Sequence, residues 1–209
     1  MNNFFILLII NILLCVPLQD VYDSAMPANG YDKYIVLDQN IIYEGGIGIY
    51  EGTVFINCSG AIIDLEQGNG IWIYSDEYVS SSLDIRNCSI INGEYYGISY
   101  SGNSTGNIIN CNFINNDIGI KLYDTSSTYV TNTNFIENMT YALGIYSTTP
   151  TVLLDYCNFW NNDSGDLMEN CPNWGIIWTP WELQDDCEGL LFQDPLFVDL
   201  DNFNFSYTF

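Results

Sequence analysis

Short runs of apolar residues alternate with polar turns along most of the chain, and the alternation repeats about every 22–24 residues. Four copies of one phrase are centred on Cys88, Cys111, Thr133 and Cys157, with spacings of 23, 22 and 24 residues. In each copy an aliphatic residue stands three positions earlier, and an aliphatic or aromatic residue stands two positions later. A period this regular is typical of a repeat architecture, in which small units stack because none can bury its apolar face alone.

A fifth copy is centred on Cys58, 30 residues before Cys88, so the loop between these two copies is longer. A second element follows the copies, namely a Gly-Ile pair that opens a short apolar–polar alternation. This pair occurs at Gly70-Ile71, Gly97-Ile98, Gly119-Ile120 and Gly144-Ile145. Each unit therefore holds two or three short β-type runs rich in Ile, Val, Phe and Tyr. No unit has room for the helix that a βαβ crossover requires.

These units predict an all-β fold, a single-stranded parallel β-helix in which each repeat makes one turn. Each strand then pairs with its equivalent one turn along, at roughly 4.8 Å. We expect about six turns over residues 34–165 and an irregular C-terminal extension over residues 166–209. An internal Asn ladder is expected at one bend, because Asn tolerates a left-handed backbone and its amide both donates and accepts along a stack. Its members would be Asn57, Asn87, Asn110 and Asn132.

The Asn-Cys-Ser/Asn-aliphatic phrases and the Gly-Ile-x-x-Tyr phrases resemble right-handed parallel β-helix repeat proteins of the pectin-lyase-like superfamily. The segment from Thr53 to Asp64 is similar to the entry turn of the NosD-like branch, which contains periplasmic proteins. Asp194-Pro195-Leu196-Phe197-Val198-Asp199 resembles a phrase that closes many secreted bacterial and archaeal β-helices. The resemblance covers roughly residues 34–200 and implies a right-handed solenoid. It implies no particular chemistry, because the superfamily hosts lyases, hydrolases, epimerases and proteins with no known activity.

The segment from Phe4 to Leu14 is almost wholly apolar. It is too short to span a membrane but fits the core of a signal peptide. We therefore expect residues 1–24 to be a signal peptide, with no transmembrane segment beyond it. This predicts a secreted or cell-surface protein, extracellular or periplasmic. Cys15 suggests lipidation as an alternative, although Leu14 stands where that processing prefers a small residue.

The chain has 26 acidic and three basic residues, and its net charge is −23. Nucleic acid and anionic membrane surfaces are therefore poor partners for this protein, and no nucleic-acid partner is predicted. An acidic surface could attract Ca²⁺, but the carboxylates are scattered rather than arranged in D-x-D-x-D-G loops, so no cofactor is predicted. The chain contains no His, which excludes Ser-His-Asp, Cys-His and HExxH chemistry.

The cysteines on the repeat, Cys58, Cys88, Cys111 and Cys157, are predicted to be reduced. Equivalent positions in a stack lie roughly 4.8 Å apart, which exceeds the ~3.5–4.5 Å between Cβ atoms in a disulfide. Cys171 and Cys187 lie in the extension, beyond the repeats, and are predicted to form a disulfide that closes a loop there.

Two catalytic interpretations are open. Glu94 and Asp117 each fall six residues after a repeat Cys, so they could form the carboxylate pair of an inverting glycoside hydrolase. Arg86 and Lys121 could serve as the base and the carboxylate-neutralising group of a polysaccharide lyase. In both cases the alternative is a set of ordinary solvent-facing side chains.

Tyr74, Tyr100, Tyr123 and Tyr146 follow the Gly-Ile pairs at similar offsets, and a binding surface is expected to centre on the last three. If they face outward, they form a strip on which sugar rings can stack, with Lys121 beside them. The alternative is that they pack in the core, since a one-residue slip moves a side chain to the opposite face. The predicted function is adhesion or extracellular glycan binding without catalysis; the alternative is a polysaccharide lyase or glycoside hydrolase acting on an extracellular polysaccharide.

Overall fold

The computed structural model describes residues 14–147, 150–169, 176–178, 190–199 and 204–207. The chain winds into a parallel β-solenoid of about six turns, as the repeat predicts. Each complete turn contributes one strand to each of three parallel sheets, which form the three faces of a prism. Equivalent strands pair one turn apart, in a register that is regular through the middle of the solenoid.

The strands are assigned to the sheets in the order in which the chain visits them. Sheet I contains β2 (Lys33–Val36), β5 (Gly52–Asn57), β8 (Ser81–Arg86), β11 (Thr105–Ile109), β14 (Ser127–Thr131) and β17 (Thr151–Asp155). Sheet II contains β1 (Leu14–Pro17), β3 (Ile41–Glu44), β6 (Ile62–Asp64), β9 (Ser89–Ile91), β12 (Asn112–Ile114), β15 (Asn134–Ile136) and β18 (Asn158–Trp160). Sheet III contains β4 (Gly48–Ile49), β7 (Ile71–Ser75), β10 (Ile98–Gly102), β13 (Ile118–Leu122), β16 (Tyr141–Ile145), β19 (Gly165–Glu169) and the antiparallel strand β20 (Ile176–Trp178). A helix, α1 (Leu18–Ser24), follows β1, and a hairpin of β21 (Phe197–Asp199) and β22 (Asn204–Tyr207) follows β20.

Inward side chains stack in columns that run the length of the solenoid. On sheet II, Phe113, Phe135 and Phe159 lie ring on ring, with centroids 5.3 and 5.1 Å apart. Phe192 continues this stack with its centroid 5.6 Å from that of Phe159. Burial of each such side chain is worth roughly 1.5–3 kcal/mol, so the columns supply most of the stabilisation that the single units lack.

Both ends of the solenoid are covered within the described residues. At the C-terminal end, Leu191 exchanges backbone hydrogen bonds with the neighbours of Asn158 and so extends sheet II beyond β18. At the N-terminal end, Leu18 and Tyr22 of α1 are buried and belong to the main core. Covered ends protect a solenoid against pairing with further strands. Cys171 and Cys187, the predicted disulfide of the extension, lie outside the described residues.

The corner between sheets I and II carries the predicted Asn positions, but on its outer side. Asn87, Asn110 and Asn132 adopt the left-handed conformation, with φ of 57°, 54° and 50°. The amide of Asn87 donates to Asn57 (2.9 Å), and that of Asn110 donates to Asn87 (3.3 Å). Asn110 and Asn132 are exposed, so the expectation that this ladder is internal is wrong.

The internal ladder lies instead at the corner between sheets II and III, five residues after each repeat position. Asn116 and Asn138 are fully buried there, and Asn162 continues the column. The Asn138 side-chain oxygen accepts from the backbone N–H of Asn116 at 3.2 Å, and its amide nitrogen donates to the Phe113 carbonyl at 3.2 Å. The Asn138 amide therefore satisfies two buried backbone groups of the preceding turn, which water cannot reach.

Cys58 and Cys88 form a disulfide with their Cα atoms 4.9 Å apart, so the prediction that both are reduced is wrong. The prediction assumed that they are equivalent positions of neighbouring turns. The register instead pairs Asn57 with Arg86, and the N–H of Cys58 donates to the Arg86 carbonyl, so Cys58 is opposite Asn87. This offset, together with the left-handed Asn87, lets the two Cβ atoms converge.

The remaining repeat cysteines follow the prediction. Cys88 and Cys111 occupy equivalent positions, since Arg86 pairs with Ile109 before them and Ser89 pairs with Asn112 after them. Cys111 is a free, buried thiol, and burial raises its pKa to about 12. The thiol of Cys157 points to the Val130 carbonyl at 3.6 Å.

Candidate functional site

The outer face of sheet III presents a row of aromatic side chains. The alternation of β7 points Ile71 and Ile73 into the core and Trp72 and Tyr74 outward. Neighbouring turns contribute further rings in line with Tyr74, and Tyr96 lies in the corner before β10. We call this set the aromatic strip: Tyr50, Trp72, Tyr74, Tyr96, Tyr123 and Tyr146.

One half of the strip is built around Trp72. The Tyr50 ring meets Trp72 edge-on with centroids 5.4 Å apart, and the Tyr74 ring lies 6.0 Å from Trp72. The indole N–H of Trp72 donates to the Ser101 hydroxyl at 2.7 Å, which fixes the plane of the indole. Tyr50 is 53% exposed, and Trp72 and Tyr74 are each 37% exposed, so these rings offer apolar surface to the solvent.

The other half of the strip surrounds a cation. Tyr123 and Tyr146 stack with centroids 5.0 Å apart, and the Lys121 ammonium lies 5.4 Å from the ring centroids of both Tyr96 and Tyr146. Burial among these rings lowers the pKa of Lys121, and the Asp117 carboxylate opposes that shift. Burial also raises the pKa of Tyr146.

Two glycines allow rings of the strip to lie flat on the sheet. A Cβ atom at Gly48 would lie 2.7 Å from the Tyr50 ring, and one at Gly144 would lie 2.6 Å from the Tyr146 ring. In both places the tyrosine ring folds back over the glycine two residues earlier, which occupies the preceding outward position. The strip is therefore a shallow surface rather than a row of projecting side chains.

Tyr100 is not part of this surface, and the expectation that it faces outward is wrong. It pairs with Ile73 and Leu122, which are core positions, and it is fully buried. Its hydroxyl crosses the core and donates to the Leu83 carbonyl of sheet I at 2.9 Å. Gly106 makes room for it, since a Cβ there would lie 2.6 Å from the Tyr100 oxygen.

A cleft of about 640 Å³ adjoins the Trp72 end of the strip. It lies at the corner that leads from sheet II into sheet III, and residues of three consecutive turns and of α1 line it. Rings, glycines and a few polar side chains line it: Gln19, Gly45, Gly46, Ile47, Gly48, Tyr50, Leu65, Glu66, Gly68, Asn69, Gly70, Trp72 and Tyr96.

The catalytic candidates are distributed over different faces. Arg86 belongs to sheet I, where its guanidinium lies 4.8 Å from the Phe55 ring, whereas Lys121 belongs to sheet III. The structure therefore does not bring the two cations of the proposed lyase site together. Glu94 and Asp117 do lie at aligned positions of neighbouring turns. The N–H of Asp117 donates to the Gly93 carbonyl at 2.8 Å, which places Asp117 opposite Glu94. The Asp117 carboxylate accepts from the Thr140 hydroxyl.

The sequence analysis did not select three rings of the strip. Tyr50 carries the signal that identified Tyr146, since each stands two residues after a Gly that opens a Gly-Ile pair. Trp72 stands two residues after Gly70, as Lys121 stands after Gly119, so alignment of the pairs would have found it. Tyr96 comes from a corner and carries no periodic signal.

The described part of the chain contains no group of three or more His, Cys, Asp or Glu side chains arranged to hold a metal ion. Within these residues no helix has the length and apolarity needed to cross a bilayer.

The chain belongs to the right-handed β-helix family. A family model described as a right-handed beta helix region matches residues 29–174, which includes the turns that carry the strip and the cleft. The match identifies the fold and its handedness and does not extend to the finer level of the NosD-like branch. No curated protein and no solved structure matches the chain significantly.

Proposed function

We propose that this protein is an extracellular, non-catalytic β-helix that binds a polysaccharide along the aromatic strip. The observation that carries the proposal is the set of partly exposed rings on one face of sheet III, in which Trp72 contacts Tyr50 and Tyr74, and Tyr123 stacks on Tyr146. Aromatic faces offer broad, rigid apolar surfaces on which the C–H faces of sugar rings can pack. A flat strip repeated across strands suits an extended polymer, whereas a small metabolite prefers an enclosed pocket.

Three features support an extracellular location. The Cys58–Cys88 disulfide is of a kind that persists in oxidising compartments. The apolar segment from Phe4 to Leu14 would direct export, and the net charge of −23 suits a soluble surface outside the cell. Leu18 and Tyr22 are buried in the folded unit, so we propose that any signal cleavage falls before Leu18 rather than after residue 24 as the sequence analysis expects, which N-terminal sequencing of exported protein would test.

A glycan array probed with the purified protein tests the proposal, followed by affinity measurements on the best ligand. Trp72→Ala and Tyr123→Ala each remove one ring from a different half of the strip. We expect each to weaken binding about 3–10-fold, since an aromatic contact contributes roughly 0.5–1.5 kcal/mol. Tyr78→Ala is the matched control, because Tyr78 is 85% exposed in a turn that does not belong to the strip. Undiminished binding by the double variant of Trp72 and Tyr123 would contradict the proposal.

A polysaccharide lyase is the second candidate, and the environment of Lys121 is the observation that favours it. A lysine whose pKa is lowered by burial can act as a general base, and Asp117 and Tyr146 lie beside it. Assays for unsaturated uronates and for reducing sugar would detect turnover. Turnover that Lys121→Ala abolishes and Arg86→Ala spares would establish this alternative, since Arg86 lies on another sheet.

A further inference from the structure

The cleft beside Trp72 has a floor of backbone rather than side chains. A Cβ at Gly46 would lie 2.2 Å from the Asn69 carbonyl oxygen, and one at Gly70 would lie 2.1 Å from the Tyr96 carbonyl oxygen. Neighbouring turns therefore approach too closely here for any residue but glycine. The resulting cleft of about 640 Å³ lies within the range of roughly 300–1,000 Å³ that is usual for small-molecule sites.

The lining combines fixed rings with a few polar groups. Tyr50 and Trp72 pack edge-on, and the bond from the indole to Ser101 holds the larger ring in place. Glu66 and Asn69 contribute side-chain oxygens and an amide, and both residues are exposed at the cleft. A sugar unit matches this lining, because its hydroxyls require polar partners while its ring faces require apolar ones.

The charge around the cleft is unsuited to an acidic sugar. Glu66 is the only charged residue among those that line it. Lys121, the cation of the strip, lies outside the lining and between the rings of Tyr96 and Tyr146. A uronate carboxylate in the cleft would face a like charge without a counter-charge, within a protein of net charge −23.

We propose that the cleft binds one uncharged sugar unit while the rest of the chain lies along the strip, which makes the ligand a neutral polysaccharide and not a polyuronate. This inference rests on the proposed function and adds the class of glycan and the place where a single unit is held. It also separates this protein from the polyuronate-directed chemistry of the lyase alternative.

Isothermal titration with defined oligosaccharides at fixed ionic strength tests the inference. The probes are hexasaccharides of glucose, mannose and N-acetylglucosamine, together with hexasaccharides of galacturonate and mannuronate. We expect at least one neutral probe to bind at least tenfold more tightly than either uronate. Asn69→Trp, which fills the cleft, should weaken that binding at least tenfold, and Glu66→Gln should narrow the gap between the neutral and uronate probes. Asn103→Trp is the control, since Asn103 is also an exposed turn residue but does not line the cleft.

The outcomes separate the two proposals. Tighter binding of a uronate that Glu66→Gln leaves unchanged overturns the inference and leaves the proposed function intact. Binding that depends on Tyr123 but is unaffected by Asn69→Trp removes the cleft from the site while the strip remains. If the wild-type protein binds no glycan on the array or among these probes, the proposed function and the inference fail together.

Discussion

Tyr100 connects two sheets through a single hydrogen bond across the core. Its acceptor, the Leu83 carbonyl, is available because the ladder between β8 and β11 is irregular at this point. Thr105 of β11 pairs with Ser82 of β8. In a regular ladder the N–H of Asn107 would donate to the Leu83 carbonyl, but it donates instead to the Asp84 carboxylate at 2.9 Å. The phenol therefore satisfies a carbonyl that would otherwise be buried without a partner.

We predict that Tyr100→Phe lowers the free energy of unfolding by about 1–3 kcal/mol, because it leaves the Leu83 carbonyl unpaired in the core. Urea denaturation monitored by circular dichroism measures the change. Tyr78→Phe, at an exposed turn position, should change it by less than about 0.5 kcal/mol. Glycan affinity should be the same for wild type and Tyr100→Phe, and a selective loss of affinity would place Tyr100 on the surface after all.

The hydroxyl of Tyr31 is expected to make the stability of the fold depend on pH. Its hydroxyl donates to Asp84 at 2.6 Å, and this bond, with burial and the carboxylate charge, raises the pKa of Tyr31 to about 12. In the unfolded chain tyrosine has a pKa of about 10. Between these values the unfolded state has released the proton and the folded state has not. The contribution of the Tyr31–Asp84 bond to the free energy of unfolding is therefore complete below about pH 10, and it is lost as the pH rises through the pKa of Tyr31 in the folded state.

We expect the stability of Tyr31→Phe to fall less steeply than that of wild type between about pH 10 and about pH 12. Asp84→Asn removes the charge and leaves one side-chain oxygen for two donors, the Asn107 N–H and the Tyr31 hydroxyl, so its stability should also fall less steeply than that of wild type. Urea midpoints determined across this range give the slopes. Equal slopes for all three proteins would mean that the Tyr31–Asp84 bond does not couple to folding.

The buried column of Asn116, Asn138 and Asn162 stabilises the corners between sheets II and III through hydrogen bonds. Asn138 accepts from the backbone of one turn, donates to the carbonyl of Phe113 and bonds Asn162 of the next turn at 2.8 Å. Three bonds at one fully buried side chain form a network in which each member supports the next. The exposed ladder at Asn110 lacks this burial, so its amide competes with water.

We predict that Asn138→Ala destabilises the fold by at least about 3 kcal/mol, because several buried donors and acceptors lose their partner at once. Asn110→Gly should be close to neutral, since glycine adopts the left-handed conformation of this residue without strain. Both values come from denaturant unfolding. A cost for Asn110→Gly that equals the cost for Asn138→Ala would show that burial does not distinguish the two ladders.

The disulfide joins two consecutive turns at the corner between sheets I and II. Cys58 and Cys88 are 30 residues apart. In the chain-entropy model a loop of this length contributes roughly 3.5 kcal/mol. We expect the double variant Cys58→Ala, Cys88→Ala to lose about that amount, and Cys111→Ser to show no change in disulfide content. Non-reducing peptide mapping checks the pairing, and a Cys88–Cys111 link would overturn the register of this corner.

The period of the sequence was sufficient to predict the turns, because one apolar column per sheet must repeat once per turn. Parity within a strand decides which rings face out: Tyr123 stands four residues after Gly119, whereas Tyr100 stands three after Gly97 and so points inward. The corner after β5, which contains Cys58, could not be aligned with the later repeats in this way. Two of its neighbouring residues, Phe55 and Ile56, are both apolar, so the sequence permits either register, and only the strand pairing shows that Ile56 is opposite Ile85.

All three basic residues of the chain lie against aromatic rings. Lys33 lies 4.5 Å from the Tyr22 ring, Arg86 lies 4.8 Å from the Phe55 ring, and Lys121 lies between two rings of the strip. Three cations could neutralise at most three of the 26 acidic residues, so the net charge of −23 remains spread over the surface. Self-repulsion of this size opposes the compact state, and salt screens it.

We therefore predict that raising NaCl from about 20 mM to about 200 mM raises the melting temperature, by roughly 2–4 °C for each kcal/mol of repulsion that is screened.

Divalent chlorides at equal ionic strength should stabilise the protein further through counter-ion accumulation, and MgCl2 and CaCl2 should do so equally. A specific Ca²⁺ site would add a stabilisation that grows with the logarithm of the Ca²⁺ concentration and that Mg²⁺ does not reproduce. Differential scanning calorimetry in the three salts separates these cases. Because the carboxylates are scattered along the sequence rather than arranged in D-x-D-x-D-G loops, we expect the Mg²⁺ and Ca²⁺ curves to coincide. A melting temperature that is higher in Ca²⁺ alone would reveal a calcium site and would make a Ca²⁺-bridged uronate a ligand that this acidic surface could bind.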